Sequence, residues 1–344
     1  MDLSLTDDQE ALREAVSRFL AKASSPERVR AAEPGGFDEA VWRGLVEMGI
    51  PTMGVPEADG GGGASLADLA VVAEQAGAAL APVPIIEAMV SGRLLAAFGV
   101  PVENAKLATV AVRPAIRGRA ALVPGGAVAE LVVLLDGDAL VVVRPKPSTT
   151  TDRTVLRNLG SAPLADVAVE VDGGDRTEVA CGIEAVEAYQ RALDEWRALT
   201  ASWLIGLARS ALGIGVQYVK DRKQFGVPIG SFQAVQHHLA DLATALDGAA
   251  LLAAKAAWSL DAGDPDAATF AAMAFSFCGE TAQAAAAAAL HYHGGYGFME
   301  EYDIQLYFRR AKASRLVLDD PRRELQHVAD RLFGPTEQAG EVTH

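Results

Sequence analysis

Between Thr281 and Met299 the chain runs without a single Asp, Glu, Lys or Arg, and Ala284 to Ala289 form an unbroken alanine tract inside that run. Alanine has the highest intrinsic helix propensity, so the tract reads as helix. A helix that is apolar on every side cannot face water, and small side chains let neighbouring helices approach closely. Gln283, His291, His293 and the Gly294–Gly295 pair interrupt the run, which therefore reads as a buried helix leading into a turn and not as a membrane span. Ala267–Gly279 has the same character. Both segments suit the centre of a helical bundle, so the last part of the fold must supply further helices around them.

The remainder divides on either side of a composition change. Residues 1–100 read as helical: Thr6 and Gln9 have the spacing of a capping box ahead of Leu12, Val16 and Leu20, a second helix covers Asp38 to Met48 and stops at Gly49, and Ser65 caps a third running through Ala78. Val55–Gly63 reads as a turn, and Pro82 with Pro84 prevents the third helix from continuing. From 101 to 180 the chain switches to short β-branched runs at Ala108–Val112, Leu131–Leu135, Ala139–Val143 and Val167–Val171, with an exposed loop over Lys146–Arg153. Residues 181–335 are helical and alanine-rich, and 336–344 form a tail. The fold class is thus mostly α with a small central β domain.

Charge limits the partners. Thirty basic against 45 acidic residues give a net charge of −15, which argues against a nucleic-acid surface, since that needs clustered Lys and Arg. Two cysteines, Cys181 and Cys278, cannot make a disulfide framework or a four-ligand metal site. The acidic, amphipathic start is unlike a signal peptide, and a reducing, cytoplasmic setting is expected.

No dinucleotide fingerprint, P-loop, GxSxG elbow or HExxH pair is present. His237–His238 and His291–His293 lack the spacing and acidic neighbours of a metal site and read as core or capping residues. Two longer segments are more informative: Asp221–Asp241 (DRKQFGVPIGSFQAVQHHLAD) and His291–Lys312 (HYHGGYGFMEEYDIQLYFRRAK). In the first, Arg222 precedes a Phe225–Gly226 turn and a new helix near Ser231. A guanidinium beside a helix N-terminus suits a diphosphate. In the second, Gly294–Gly295 allows a backbone to approach a ligand without a Cβ in the way.

Taken together, these segments resemble the acyl-CoA dehydrogenase family, whose signature R-x-Q-F-G-x-P-I-x-x-F-Q followed by L-A-D matches Arg222 to Asp241. The family's Gly-Gly-x-Gly turn and Arg-x-Ala-Lys stretch match Gly294–Gly297 and Arg309–Lys312. Met48–Gly63, Glu74 and Gly77 resemble the family's N-terminal part. The resemblance spans essentially the whole chain. It implies a helical N-terminal domain, a β domain and a C-terminal four-helix bundle, with FAD as cofactor, acyl-CoA thioesters as substrates and an electron-acceptor flavoprotein. The implied reaction is α,β-desaturation, in which a carboxylate removes the α-proton while hydride leaves from the β-carbon to the flavin.

The chain departs from the family where that carboxylate should be. One base position falls on Leu318 and the alternative on Trp196, beside Arg197, which matches the family's substrate-side arginine. Asp319, Asp320 and Glu195 lie nearby, but a one-residue shift on a helix turns a side chain by about 100°. No catalytic residue is assigned. In the β domain, Ala111–Gly126 carries neither of the family's flavin- and thioester-holding motifs. What matches is the surface that a subunit contributes to its neighbour's flavin: Arg222, Phe225, Gln233, His291, Gly294 and Gly295, with His291 in place of the usual glutamine.

The resemblance therefore points to the base-lacking subunit of a heteromeric enzyme, as in actinobacterial dehydrogenases of steroid side chains. The alternatives are a homomeric dehydrogenase with Asp319 or Glu195 as a displaced base, a flavin monooxygenase of the same fold, and a non-enzymatic paralogue.

Overall fold

The computed structural model describes residues 2–145, 155–170 and 175–334. The predicted loop at Lys146–Arg153, the end of the run at Val171 and the tail from 336 lie outside the described residues.

The N-terminal helices follow their caps. α1 (Asp7–Ala23) starts at Thr6, whose Oγ1 accepts the Gln9 N–H while Gln9 Oε1 accepts the Thr6 N–H, a complete capping box. α2 (Pro26–Ala32) was not legible as a separate helix. α3 (Glu39–Glu47) starts behind Asp38, and the chain leaves it through Gly49 at φ +74°. α4 (Leu66–Ala78) is capped by Ser65, and α5 (Ile85–Ala96) begins immediately after Pro84. The proline pair that ends α4 thus also opens a further helix, because a residue without an N–H costs nothing where the helix has no acceptor to offer it.

The β region comprises β1 (Ala108–Val110), β2 (Arg119–Val123), β3 (Leu131–Asp136), β4 (Ala139–Arg144), β5 (Ala165–Ala168) and β6 (Asp175–Cys181). One sheet has the order β1-β3-β4-β6, with β1 parallel to β3 and the other pairs antiparallel. β2 and β5 form a separate antiparallel ribbon. The predicted runs at 108, 131 and 139 form strands, whereas the fourth shifts to Ala165–Ala168. β2 and β6 escaped prediction because their alanines and charged residues break the β-branched pattern.

The C-terminal part contains α6 (Ile183–Asp221), a hairpin of β7 (Lys223–Gln224) and β8 (Val227–Pro228), α7 (Gln233–Ala262), α8 (Ala267–His293), α9 (Ile304–Ser314) and α10 (Pro321–Phe333). The two predicted alanine-rich segments are one helix, α8, packed against α6 and α7. α6 is long and apolar enough to cross a membrane, but 67% of its apolar window is buried inside the fold, as befits the central helix of a bundle. It crosses α4 at backbone contact: a Cβ on Gly77 would sit 1.9 Å from the Trp203 carbonyl oxygen, and one on Gly206 1.8 Å from that of Glu74. Only glycine fits at this crossing. The Tyr189 hydroxyl donates to the Ala111 carbonyl at 2.7 Å and ties α6 to the β region.

Candidate functional site: an apolar cavity and an exposed bundle end

A cavity of about 340 Å³ opens where α5, α6, the end of α9 and the β2–β5 ribbon meet. Its walls are mainly apolar, from Pro84 just before α5 and Ile86 on it, Trp196 and Trp203 on α6, Leu122 of the ribbon, and Leu316 and Val317 after α9. Both stretches in which the resemblance leads one to expect a base border this cavity. Trp196 occupies one of them, 2% exposed and tilted against Phe275 with ring centroids 5.5 Å apart. At the other, Leu316 and Val317 line the cavity, while the Leu318 carbonyl accepts the Arg113 Nε–H at 2.7 Å.

The nearby carboxylates have other duties. Glu195 is buried on α6 and receives two hydrogen bonds from Arg93, at 2.9 and 3.1 Å. Asp319 pairs with Arg323, and the Asp320 backbone N–H holds its carboxyl below the usual range. Asp320 caps α10 by accepting the Arg322 N–H at 3.0 Å. None of the three lines the cavity.

Arg197, expected on the substrate side, is not among the residues lining the cavity; it gives two hydrogen bonds to Glu324 on α10, at 2.8 and 3.1 Å, and one to Asp194 at 3.1 Å. All three side chains are buried, and Arg331 extends the cluster toward Asp194. Side chains on consecutive helical residues diverge by about 100°, so with Trp196 on the cavity wall its neighbour faces elsewhere.

One acid does line the cavity, and sequence reasoning missed it. Glu87 stands in the first turn of α5 and accepts the Trp196 Nε1–H on Oε1 at 2.9 Å. Burial raises its carboxyl above the usual glutamate value, and the Trp196 hydrogen bond opposes this. The available signal was a lone acid in the otherwise apolar stretch Val83–Val90. The other ionisable lining residue, Arg310, is buried and donates to Glu33 at 3.1 Å.

The second assembly of predicted residues lies at one end of the bundle. Phe225 and Gly226 form the two-residue turn of the β7–β8 hairpin, with φ of +53° and +85°. Such turns favour Asn, Asp or Gly, so a phenylalanine held there in the left-handed region is a costly choice. Its ring is 93% exposed, with only the edge of Phe232 near it at 6.3 Å. Gln233 opens α7, whose N-terminus has no side-chain cap. His291 is exposed in the last turn of α8, where Gly294 takes φ +59°, and no atom lies within 4 Å of where a Cβ would stand on Gly294 or Gly295.

Two contacts hold these pieces at the same end. Tyr218 stacks on His293 with centroids 3.9 Å apart, and the Tyr292 hydroxyl meets His238 Nδ1 at 2.9 Å. Of the histidines that might have suggested a metal, His238 is thus engaged by Tyr292 and His293 by Tyr218, with His293 Nδ1 contacting the Ala289 carbonyl at 2.7 Å. Arg222 is exposed and makes no ion pair among the described residues.

Comparison with known proteins gives this geometry its context. The pattern described as acyl-CoA dehydrogenase, N-terminal domain, matches residues 6–107, and that described as acyl-CoA dehydrogenase, C-terminal domain, matches 186–318. Acyl-CoA dehydrogenase IpdE2 of Mycolicibacterium smegmatis is 34% identical over 96% of this chain and 100% of its own. IpdE2 of Mycobacterium tuberculosis is 33% identical over 95% of this chain and 98% of its own. Among solved structures, a chain of the ChsE4-ChsE5 complex from Mycobacterium tuberculosis superposes with a TM-score of 0.86 at 25% identity, covering 98% of this chain and 100% of that one. A Tcur3481-Tcur3483 steroid acyl-CoA dehydrogenase variant gives 0.84 at 26% identity, covering 95% of this chain and 98% of that one. This chain belongs to the acyl-CoA dehydrogenase family, whose members are FAD-dependent oxidoreductases.

Proposed function

We propose that this chain is the base-lacking subunit of a heteromeric acyl-CoA dehydrogenase and completes an FAD site held mainly by a paralogous partner subunit. The observation that carries this reading is a contrast within one molecule. Trp196 and Leu318, on which the resemblance puts the base, cannot take a proton, while the bundle end keeps Arg222, Phe225, Gln233 and the Gly294–Gly295 pair, which suit a flavin diphosphate.

The fit at that end is chemical. Arg222 supplies an unpaired guanidinium, and the uncapped start of α7 supplies backbone N–H groups and the positive end of a helix dipole. Gly294 and Gly295 leave room for close approach, and the exposed Phe225 offers an apolar face to a partner or to the cofactor. Bound FAD would accept the β-hydrogen of the thioester as hydride. In this reading the residues of this chain bind and orient, and the α-proton is removed by a carboxylate of the partner.

The similar ChsE4-ChsE5 structure is a complex of two differently named chains, and the Tcur3481-Tcur3483 protein is described as a steroid dehydrogenase. Both support a heteromer acting on a bulky acyl-CoA such as a steroid side chain, with an electron-acceptor flavoprotein as second partner. The test is co-expression with base-bearing paralogues encoded nearby. The reading predicts a stable complex that desaturates acyl-CoA, whereas the single chain turns nothing over. Desaturation by the chain alone at the rate of a complete enzyme would overturn it.

A further inference from the structure

The segment that leaves the Gly294–Gly295 turn is held from outside the bundle. Arg30 on α2 donates its Nε–H to the Glu300 carbonyl at 2.9 Å and an Nη2–H to the Glu301 carbonyl at 3.1 Å, and pairs with the Asp303 carboxylate. One guanidinium thus gathers three acceptors from the stretch 300–303, which its planar fork allows and a point charge does not. Asp303 stands at the N-cap of α9, where an aspartate ordinarily accepts an N–H of its own helix. Its side chain makes no such bond and is given to Arg30, 273 residues away in sequence. One turn along α2 from Arg30, Glu33 receives Arg309 and Arg310 of α9. α2 therefore holds this stretch at both ends, Arg30 on the side of the turn and Glu33 on the side of the helix.

The path from the clamped segment back to the glycines is short. Tyr302 follows Glu301 directly, stacks on Tyr296 with ring centroids 5.5 Å apart, and meets His293 edge-on at 6.1 Å. His293 and Tyr296 are the chain neighbours that flank Gly294 and Gly295. The turn itself is open, with Tyr296, Phe298 and Met299 exposed. We infer that Arg30 is a positioning residue for the flavin site: by fixing Glu300–Asp303 it sets, through Tyr302, where the Gly294–Gly295 backbone stands against the diphosphate. This rests on the flavin-completing role proposed above and extends it to a helix outside the bundle. Backbone groups bind an anion only as well as they are aimed, and residues that orient such groups are worth roughly tenfold or more in affinity.

The test is titration of FAD into the complex of this chain with its partner subunit after the flavin has been removed, together with kcat at saturating FAD. Arg30→Met keeps the aliphatic stem and deletes the fork. It should weaken FAD binding about tenfold while kcat at saturation stays within about twofold, because Arg30 acts on the diphosphate end and not on the reacting atoms. Arg30→Lys keeps the pair with Asp303 but cannot also serve both carbonyls, and should fall between, about threefold weaker than wild type. Glu33→Gln loosens the other end of the same stretch, so it should lower the melting temperature and leave FAD affinity unchanged. A merely structural Arg30 would lower the melting temperature and leave the affinity of the folded complex where it was. Wild-type FAD affinity in a folded Arg30→Met complex would overturn the inference, as would an equal loss of affinity in Glu33→Gln. If Arg30→Met does not assemble, wild-type affinity in Arg30→Lys overturns it instead. Arg222→Ala is measured in parallel: if it weakens FAD binding and Arg30→Met does not, the inference falls alone, and if neither does, the flavin-completing reading falls with it.

Discussion

The Trp196 indole N–H donates to Glu87 Oε1 at 2.9 Å, joining a cavity-lining tryptophan on α6 to the one acid among the residues that line the cavity. The bond spans α6 and α5, and it fixes the side chain that blocks this side of the cavity. A tryptophan here is therefore more than the absence of a carboxylate, because its N–H holds Glu87 in place.

Removing that donor should be measurable as stability. Trp196→Phe keeps an aromatic ring against Phe275 but leaves Glu87 Oε1 without its donor, an expected loss of roughly 1–3 kcal/mol in chemical denaturation. Glu87→Gln retains an oxygen for the indole and should stay close to wild type near pH 5. Burial raises the native carboxyl above its value in the unfolded chain, so the folded state holds the extra proton. Stability of the wild type should then fall as pH rises from about 4.5 through the raised native value, and Glu87→Gln should lack this part of the slope.

Arg197 should behave as a tie between helices. Arg197→Ala leaves Glu324 buried without its cation and Asp194 with only the more distant Arg331, and a loss of roughly 3–5 kcal/mol is expected, with α10 exposed to proteolysis first. A substrate contact would instead show as a raised KM in the heteromer with unfolding unchanged.

The displaced carboxylates should prove dispensable for chemistry. Removing a true general base costs roughly a hundred- to ten-thousand-fold in rate. Asp319→Asn and Glu195→Gln should leave kcat of the assembled enzyme near wild type. Glu195→Gln should still lower the melting temperature, because it weakens the buried pair with Arg93.

The bundle end should show the opposite pattern. Arg222 and Phe225 are exposed and carry little of the fold. Arg222→Ala should leave thermal unfolding of the single chain unchanged while weakening FAD retention by the complex about tenfold or more. Phe225→Asp should act in the same direction, seen as flavin released on gel filtration.

Much of this was legible in the sequence for local reasons. Caps at Thr6, Asp38 and Ser65, and the glycine pair that interrupts the charge-free run at Gly294, are short-range signals that the structure reproduces as helix ends. The exposed turn at Phe225 was legible because its residues are contiguous. The cavity was not, since Glu87, Trp196, Thr200 and Val317 come from three separate stretches and meet only through packing. The ion pair of Arg197 was hidden for the same reason: its partner Glu324 is far along the chain, and only the relative placement of α6 and α10 reveals the pair.

The most direct test of the central claim is the ratio of tightly bound FAD to protein, measured for the purified chain alone and again in complex with its base-bearing partner. The account predicts almost no retained flavin for the chain alone, and one flavin per pair of chains in the complex, falling when Arg222 is replaced. A single chain that retains one FAD per polypeptide, or a complex whose flavin content ignores Arg222, would contradict it.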